Sequence, residues 1–225
     1  MTEQQNQQST ETPNARPMLQ LNAPAPDFEA KTTDGTIRLS EWNPDKWVIL
    51  FSHPADFTPV CTTEFMAFEN IADELAERNV ALLGNSIDSV HSHIAWVRNI
   101  KENFGVDISF PIIADLTQEV SKLYGMVHEA SSDTAAIRAV YVIDPDRILR
   151  AMIYYPLDVG RNFDEVLRLV DALQTSDKHG VATPADWRPG DKVIVPPPQT
   201  AKEAAERVDN PEYEVTDWYF SKKNL

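Results

Sequence analysis

Short apolar runs alternate along this chain with stretches in which apolar residues recur every three or four positions. Trp47-Val48-Ile49-Leu50-Phe51-Ser52 is a nearly continuous apolar run behind the turn-forming Asn43-Pro44-Asp45, as a strand buried on both faces should read. His53-Pro54 ends it, because proline cannot donate to a sheet ladder. Thr58 then stands as an N-cap and Pro59 at the favoured first helical position. Phe65, Phe68, Ile71 (or Ala72) and Leu75 repeat at helical spacing, which predicts one helix running from Pro59 to Asn79.

Val80-Ala81-Leu82-Leu83 reads as a strand, and Ser89 as the cap of a second helix with Val90, Ile94, Val97 and Ile100 on one face. Phe110-Pro111-Ile112-Ile113 predicts a short strand and Thr117 to Tyr124 a short helix. Ile137 to Asp144 is β-branched and apolar, Asp144-Pro145-Asp146-Arg147 is a turn signal, and Ile148 to Tyr155 runs back as an antiparallel partner. Asn162 caps a last helix that turns Phe163, Val166, Leu167, Val170 and Leu173 inward. This order predicts an α/β layered fold, a mixed central sheet flanked by helices.

The texture divides the chain into three. Residues 1–17 are rich in Gln, Thr and Asn and read as a disordered tail. Residues 18–175 carry the periodic elements. Residues 176–225 are broken by Pro184, Pro189, Pro196, Pro197, Pro198 and Pro211, with one helical stretch near Ala201 to Val208. Trp187, Val193-Ile194-Val195 and Trp218-Tyr219-Phe220 make this last part too apolar for a free tail, so it reads as an extended arm on the domain or on a second subunit. Exposed Trp187, Trp218 and Phe220 would be a liability in a monomer.

Composition narrows the function. Of 225 residues, 20 are Lys or Arg and 35 Asp or Glu, a formal charge of −15. That balance argues against nucleic acid or an anionic membrane as partner, since both reward clustered cations. No apolar stretch approaches the roughly 18–20 residues needed to cross a bilayer, and a cytoplasmic protein is the expectation. Seven glycines leave little room for a phosphate-cradling loop. His91 and His93, two apart, point in different directions on a helix, so no metal site is expected from them.

One cysteine remains, Cys61. It excludes an intramolecular disulfide and a multi-cysteine metal site. A lone cysteine is most often a small buried hydrophobe. Here, with Thr58 as N-cap, it falls at the third helical position, near unsatisfied backbone N–H groups and the positive end of the helix dipole, both of which favour a nucleophilic thiolate.

Pro54-Ala55-Asp56-Phe57-Thr58-Pro59-Val60-Cys61-Thr62-Thr63-Glu64 resembles the active-site loop of the peroxiredoxins, Pro-x-x-x-Thr-x-x-Cys, and the longer run from Phe51-Ser52-His53 resembles their one-cysteine subgroup. The likeness continues in order through Ser86-Ile87-Asp88-Ser89-Val90, Arg138-Ala139-Val140-Tyr141-Val142-Ile143-Asp144, Gly160-Arg161-Asn162-Phe163-Asp164-Glu165 and Val181-Ala182-Thr183-Pro184-Ala185-Asp186-Trp187, covering Leu19 to Val195.

The resemblance implies a thioredoxin-like fold and a thiol-dependent peroxidase, an antioxidant enzyme that needs no cofactor. Cys61 is then the peroxidatic thiolate. Thr58 hydrogen-bonds peroxide and sulfur, Arg138 stabilises charge at both, and Pro54 closes over the sulfur. Arg161 matches a second arginine near the thiolate, Glu64 orients the arginines, and His53 hydrogen-bonds oxidised Cys61; for Arg161 a surface charge, and for His53 an ordinary strand-end residue, are the bland alternatives. With no second cysteine, an external thiol (a small thiol, or a thioredoxin- or glutaredoxin-like protein) must complete the cycle. The resemblance also implies a homodimer with the arm crossing to the partner, and admits a decamer of five dimers, on which the residues are silent. A second reading makes Cys61 a peroxide sensor or redox-regulated chaperone, and a third a non-catalytic scaffold.

Overall fold

The computed structural model describes residues 18–132 and 134–225, so the tail expected over 1–17 lies outside the described residues. A hairpin of β1 (Glu29–Thr32) and β2 (Gly35–Arg38) comes first. β3 (Trp47–Ser52), α1 (Pro59–Asn70), α2 (Ala72–Glu77), β4 (Val80–Ser86), α3 (Val90–Phe104), β5 (Ile112–Ala114) and α4 (Glu119–Leu123) follow. β6 (Arg138–Ile143), β7 (Leu149–Tyr155) and α5 (Phe163–His179) complete the domain.

Seven strands form one sheet in the order β2-β1-β5-β4-β3-β6-β7. β3, β4 and β5 are parallel, while β6 and β7 on one side and β1 and β2 on the other run antiparallel. This is the mixed, helix-flanked sheet expected. β3 is central and buried along its whole length, which explains its unbroken apolar run. Its side chains alternate: Ile49 and Phe51 join the core beneath α1, α3 and α5, and Val48 and Leu50 the core on the other face with Tyr124 and Tyr141.

Three local readings differ. The single helix expected after Thr58 breaks at Ile71 (φ −106°, ψ 6°), whose N–H turns back to Phe68. Asn70 and β-branched Ile71 are weak helix formers, and the break lets Leu75 reach the core. On α3 the buried face is His93, Trp96 and Ile100, whereas Ile94 is 44% exposed. The helix is rotated because the His93 ring finds polar partners inside, described below. The β1–β2 hairpin was not expected from its mostly polar sequence.

α5 runs to His179, four residues past the change of texture at Thr175. The arm beyond it is more regular than expected, with a three-stranded sheet of β8 (Val193–Ile194), β10 (Phe220–Lys223) and β9 (Glu214–Asp217), and α6 (Ala201–Val208) closed by a capping box at Thr200. Trp187 is buried rather than exposed: it packs with Ala172, Val181 and Val193 and so fastens the arm to α5. Trp218, Tyr219 and Phe220 do stand exposed. No helix among the described residues is long and apolar enough to cross a membrane.

Phe68 stacks on Phe51 at 4.0 Å and meets Phe163 edge-on. Phe68→Ala is expected to cost about 3–5 kcal/mol of unfolding free energy in urea titration. Exposed Leu116→Ala should change it by less than about 0.5 kcal/mol; equal effects would place the core elsewhere.

Candidate active site

The end of β3 delivers the site. Ser52 Oγ donates to the Ile137 carbonyl at 2.5 Å and accepts the Ala139 N–H at 3.1 Å, so it clamps both neighbours of Arg138. The chain then leaves the sheet through His53 and half-buried Pro54. Phe57 takes a left-handed conformation (φ 55°), unusual for a bulky residue, and swings the chain into α1. The Asp56 N–H is tied to Asp88 Oδ2 at 2.9 Å.

Thr58 is the N-cap residue, as expected, but its hydroxyl does not cap the helix. It donates to the Ala55 carbonyl at 3.0 Å, which leaves the oxygen lone pairs free to accept. The first-turn amides thus lack a side-chain partner, and Cys61, third in the helix and fully buried, sits among them.

Across from Cys61 stands Arg138, the first residue of β6. Its Nη1 lies 3.3 Å from Cys61 Sγ and 2.7 Å from Glu64 Oε2, while Nε and Nη2 hold the Leu157 carbonyl. Glu64, one turn after Cys61 on α1, also receives Arg161: Nε and the backbone N–H at Oε1, both 3.0 Å, and Nη2 at Oε2, 2.7 Å. Arg161 is no surface charge. It is buried, donates to the Ala139 carbonyl, and lies over the rings of Phe51 and Phe68. Burial opposes ionising Glu64, but the charges of Arg161 and Arg138 and their hydrogen bonds win, holding its carboxyl below 4.5.

His53 is buried and makes no hydrogen bond to Cys61 in this reduced protein. Its Nε2 meets Asp56 Oδ1 at 2.8 Å, and the other Asp56 oxygen meets His93 Nδ1 at 2.8 Å. His93 Nε2 reaches the Ile113 carbonyl at 3.1 Å. This His53–Asp56–His93 cluster escaped the sequence reading, which weighed His93 only against His91. Its signal was the spacing of His93 with Trp96 and Ile100, which puts a histidine on an inward face. The three could be taken for a metal site. But ligand atoms bound at about 2.0–2.2 Å in a tetrahedron stand more than 3 Å apart, and 2.8 Å contacts are hydrogen bonds. Beside Thr58 a cleft of about 370 Å³ opens between Phe57, Thr62, Met66, Trp96 and Phe104.

Comparison with known proteins agrees with this geometry. Residues 21–152 match the AhpC/TSA family and residues 172–210 the C-terminal domain of 1-Cys peroxiredoxin. A peroxiredoxin of Aquifex aeolicus is 57% identical over 215 residues, covering 91% of this chain and 96% of that one. Peroxiredoxin 2 of Caldanaerobacter subterraneus subsp. tengcongensis is 54% identical, covering 92% and 93%. The chain is a one-cysteine peroxiredoxin.

Two solved structures share the fold of this peroxiredoxin. The yeast mitochondrial 1-Cys peroxiredoxin superposes with a TM-score of 0.81 at 42% identity, covering 92% of this chain and all of that one. A mutant of peroxiredoxin 6 of Arenicola marina gives 0.82 at 39% identity, covering 92% and 98%. The enzyme is therefore a thiol-dependent peroxidase, an oxidoreductase with one redox-active sulfur.

Three buried groups set its acid response. Burial holds His53 below its ordinary 6.5, and Glu64 and Asp56 lie below their ordinary 4.5 and 3.8 despite burial, through their hydrogen-bonded partners. In each case the unfolded chain binds a proton that the folded one refuses, so stability falls as pH drops. Urea midpoints are expected to decline first below pH 6.5, through His53, and again below 4.5, through the carboxylates. His53→Gln should remove the first decline only; a pH-independent midpoint between 7 and 3 would contradict the assignment.

Proposed function

We propose that Cys61 reduces hydrogen peroxide and organic hydroperoxides, with Thr58, Arg138 and Pro54 as the groups that hold and shield the reacting atoms. The observation that carries this is the Arg138 guanidinium, 3.3 Å from the chain's one cysteine sulfur and fixed by Glu64 and the Leu157 carbonyl. The Cys61 thiolate attacks the distal peroxide oxygen. The O–O bond breaks, the sulfur keeps the distal O–H and becomes a sulfenic acid, and the other oxygen leaves as water or an alcohol after taking from solvent the proton that the thiol had released to it. Arg138 faces the negative charge as it passes from sulfur to the leaving oxygen, a task fixed donors perform without reorganising. Thr58 Oγ1, with free lone pairs, accepts the peroxide O–H. Pro54 covers the sulfur and limits water. Arg161 and Glu64 act through Arg138, and His53 accepts a hydrogen bond from oxidised Cys61.

Resolution falls to an external thiol. It attacks the sulfenic sulfur and releases water, and a second thiol frees Cys61 from the mixed disulfide. The yeast relative is described as resolved via glutathione/thioredoxin systems, which supports a glutathione- or thioredoxin-type donor here.

The enzyme works as a homodimer. Two features support this: β7 is a seven-residue, proline-free edge strand paired on one side only, and Trp218, Tyr219 and Phe220 expose apolar rings on the arm. Sedimentation at micromolar concentration should give twice the 25.4 kDa chain mass or an even multiple of it; a monomer would refute this.

Stopped-flow reaction of the reduced enzyme with hydrogen peroxide tests the chemistry. One added oxygen in the intact mass is expected, and none in Cys61→Ser. Arg138→Gln should slow the step about 10²–10³-fold, as loss of a preorganised donor does elsewhere, and Thr58→Val, which removes the acceptor of the peroxide O–H, should slow it about tenfold, with Thr58→Ser retaining most of the rate. Wild-type reaction no faster than that of a free thiol would defeat the reading, and failure to cycle with any thiol would favour a sensor.

A further inference from the structure

The partners of the His53–Asp56–His93 cluster determine where its protons are. The Asp56 carboxyl is ionised, since hydrogen bonds from two imidazoles outweigh its burial, and both its oxygens can only accept. His93 points Nδ1 at that carboxylate and Nε2 at the Ile113 carbonyl, another acceptor. Both contacts call for a ring N–H, so the hydrogen-bond geometry assigns His93 a proton on each nitrogen. His53 directs Nε2 at Asp56 and holds its proton there, and burial refuses it a second. Its Nδ1 is left as a bare lone pair, buried and without a partner among the described residues.

An unpaired buried acceptor requires an explanation. The His53 ring meets Phe65 edge-on at 4.8 Å, one turn beyond Cys61 on α1, and lies 5.1 Å from Trp96, which itself donates to Thr62. It therefore borders the first turns of the helix that carries the sulfur. In the reduced protein no donor among the described residues reaches Nδ1. Oxidation creates one, the O–H of the Cys61 sulfenic acid.

We propose that Asp56 and His93 are positioning residues: the His93 imidazolium holds the Asp56 carboxylate, and Asp56 holds His53 in the one tautomer whose Nδ1 accepts the sulfenic O–H. The inference rests on the peroxidase reading above. Two further charges border the cluster, Asp88 on the Asp56 N–H and Arg161 near the His53 ring, and neither offers a proton to Nδ1. A sulfenic O–H left without this acceptor is an unsatisfied buried donor, which favours open conformations of the loop that expose the sulfur.

Long-range ¹H–¹⁵N correlation spectra of the reduced full-length protein should show His93 protonated on both nitrogens and His53 on Nε2 alone. One equivalent of hydrogen peroxide should move the His53 Nδ1 signal upfield as it accepts a hydrogen bond. His93→Gln cannot donate at both ends, so the His53 tautomer becomes mixed and dimedone traps the sulfenic acid about tenfold faster, the effect of one lost buried hydrogen bond. Asp56→Asn keeps a neutral network, with Oδ1 accepting from His53 and Nδ2 donating to His93. It should leave the His53 tautomer and the trapping rate as in wild type while His93 loses its Nδ1 proton. A neutral His93 in reduced wild type overturns the proposal, as does unchanged trapping in any variant whose His53 tautomer has changed. Should His93→Gln not fold, the wild-type and Asp56→Asn spectra decide it. Absence of any oxygen adduct on wild-type Cys61 would instead indict the peroxidase reading, while the reduced-state spectra still test the relay.

Discussion

A single buried carboxylate, Glu64, holds two buried guanidinium groups, and the site depends on the charge left over. Glu64 neutralises one of Arg138 and Arg161; the carbonyls of Leu157 and Ala139 and the faces of Phe51 and Phe68 only partly satisfy the other. Burying an uncompensated cation is costly. The surplus therefore favours an anion nearby, and Arg138 Nη1 directs it at Cys61 Sγ. The unsatisfied first-turn amides of α1 act in the same direction.

The fold brings these charges together from distant parts of the chain. Cys61 and Glu64 come from one turn of α1, Arg138 from the start of β6, and Arg161 from the loop before α5. The register of β3 against β6 does most of the aligning, and Ser52 reinforces it by bonding to the residues on both sides of Arg138. Removing that hydroxyl would loosen the strand ends that set the distance between cation and sulfur. Local sequence thus chooses the groups, and sheet register sets their spacing.

Much of this was legible in the residues and some was not. β3, the α1 start, the β6–β7 hairpin and the caps at Ser89 and Asn162 follow from patterns within a few residues, and they appear as expected. The parts that escaped are decided by tertiary partners. Ile71 breaks a helix because both halves must reach one core. α3 turns His93 inward because Asp56 and the Ile113 carbonyl, 37 and 20 residues away, satisfy its ring. The arm's apolar content was visible, but its strands are two to four residues long and lack any periodic signal. In the same way Arg161 is ambiguous as a letter and unambiguous once Glu64 is opposite it.

The burial that serves the first half of the reaction opposes the second. A fully buried Cys61 keeps Arg138 strong by excluding water, since charge interactions gain as the surroundings dry. Yet a resolving thiol must reach the sulfur, and in a chain with one cysteine that thiol comes from outside. The first turn of α1 and the loop from Pro54 to Thr58 must therefore yield after oxidation. What restrains them is polar rather than apolar: the Asp88 contact to the Asp56 N–H, the Thr58 hydroxyl on Ala55, and the two histidines on Asp56. Phe57, half exposed and in a left-handed conformation, adds strain at the same place. A latch of directional bonds on a strained turn can release without disturbing the aromatic core beneath it. Hence the chain places its hydrogen-bonded cluster, and not more of its core, behind the reactive sulfur.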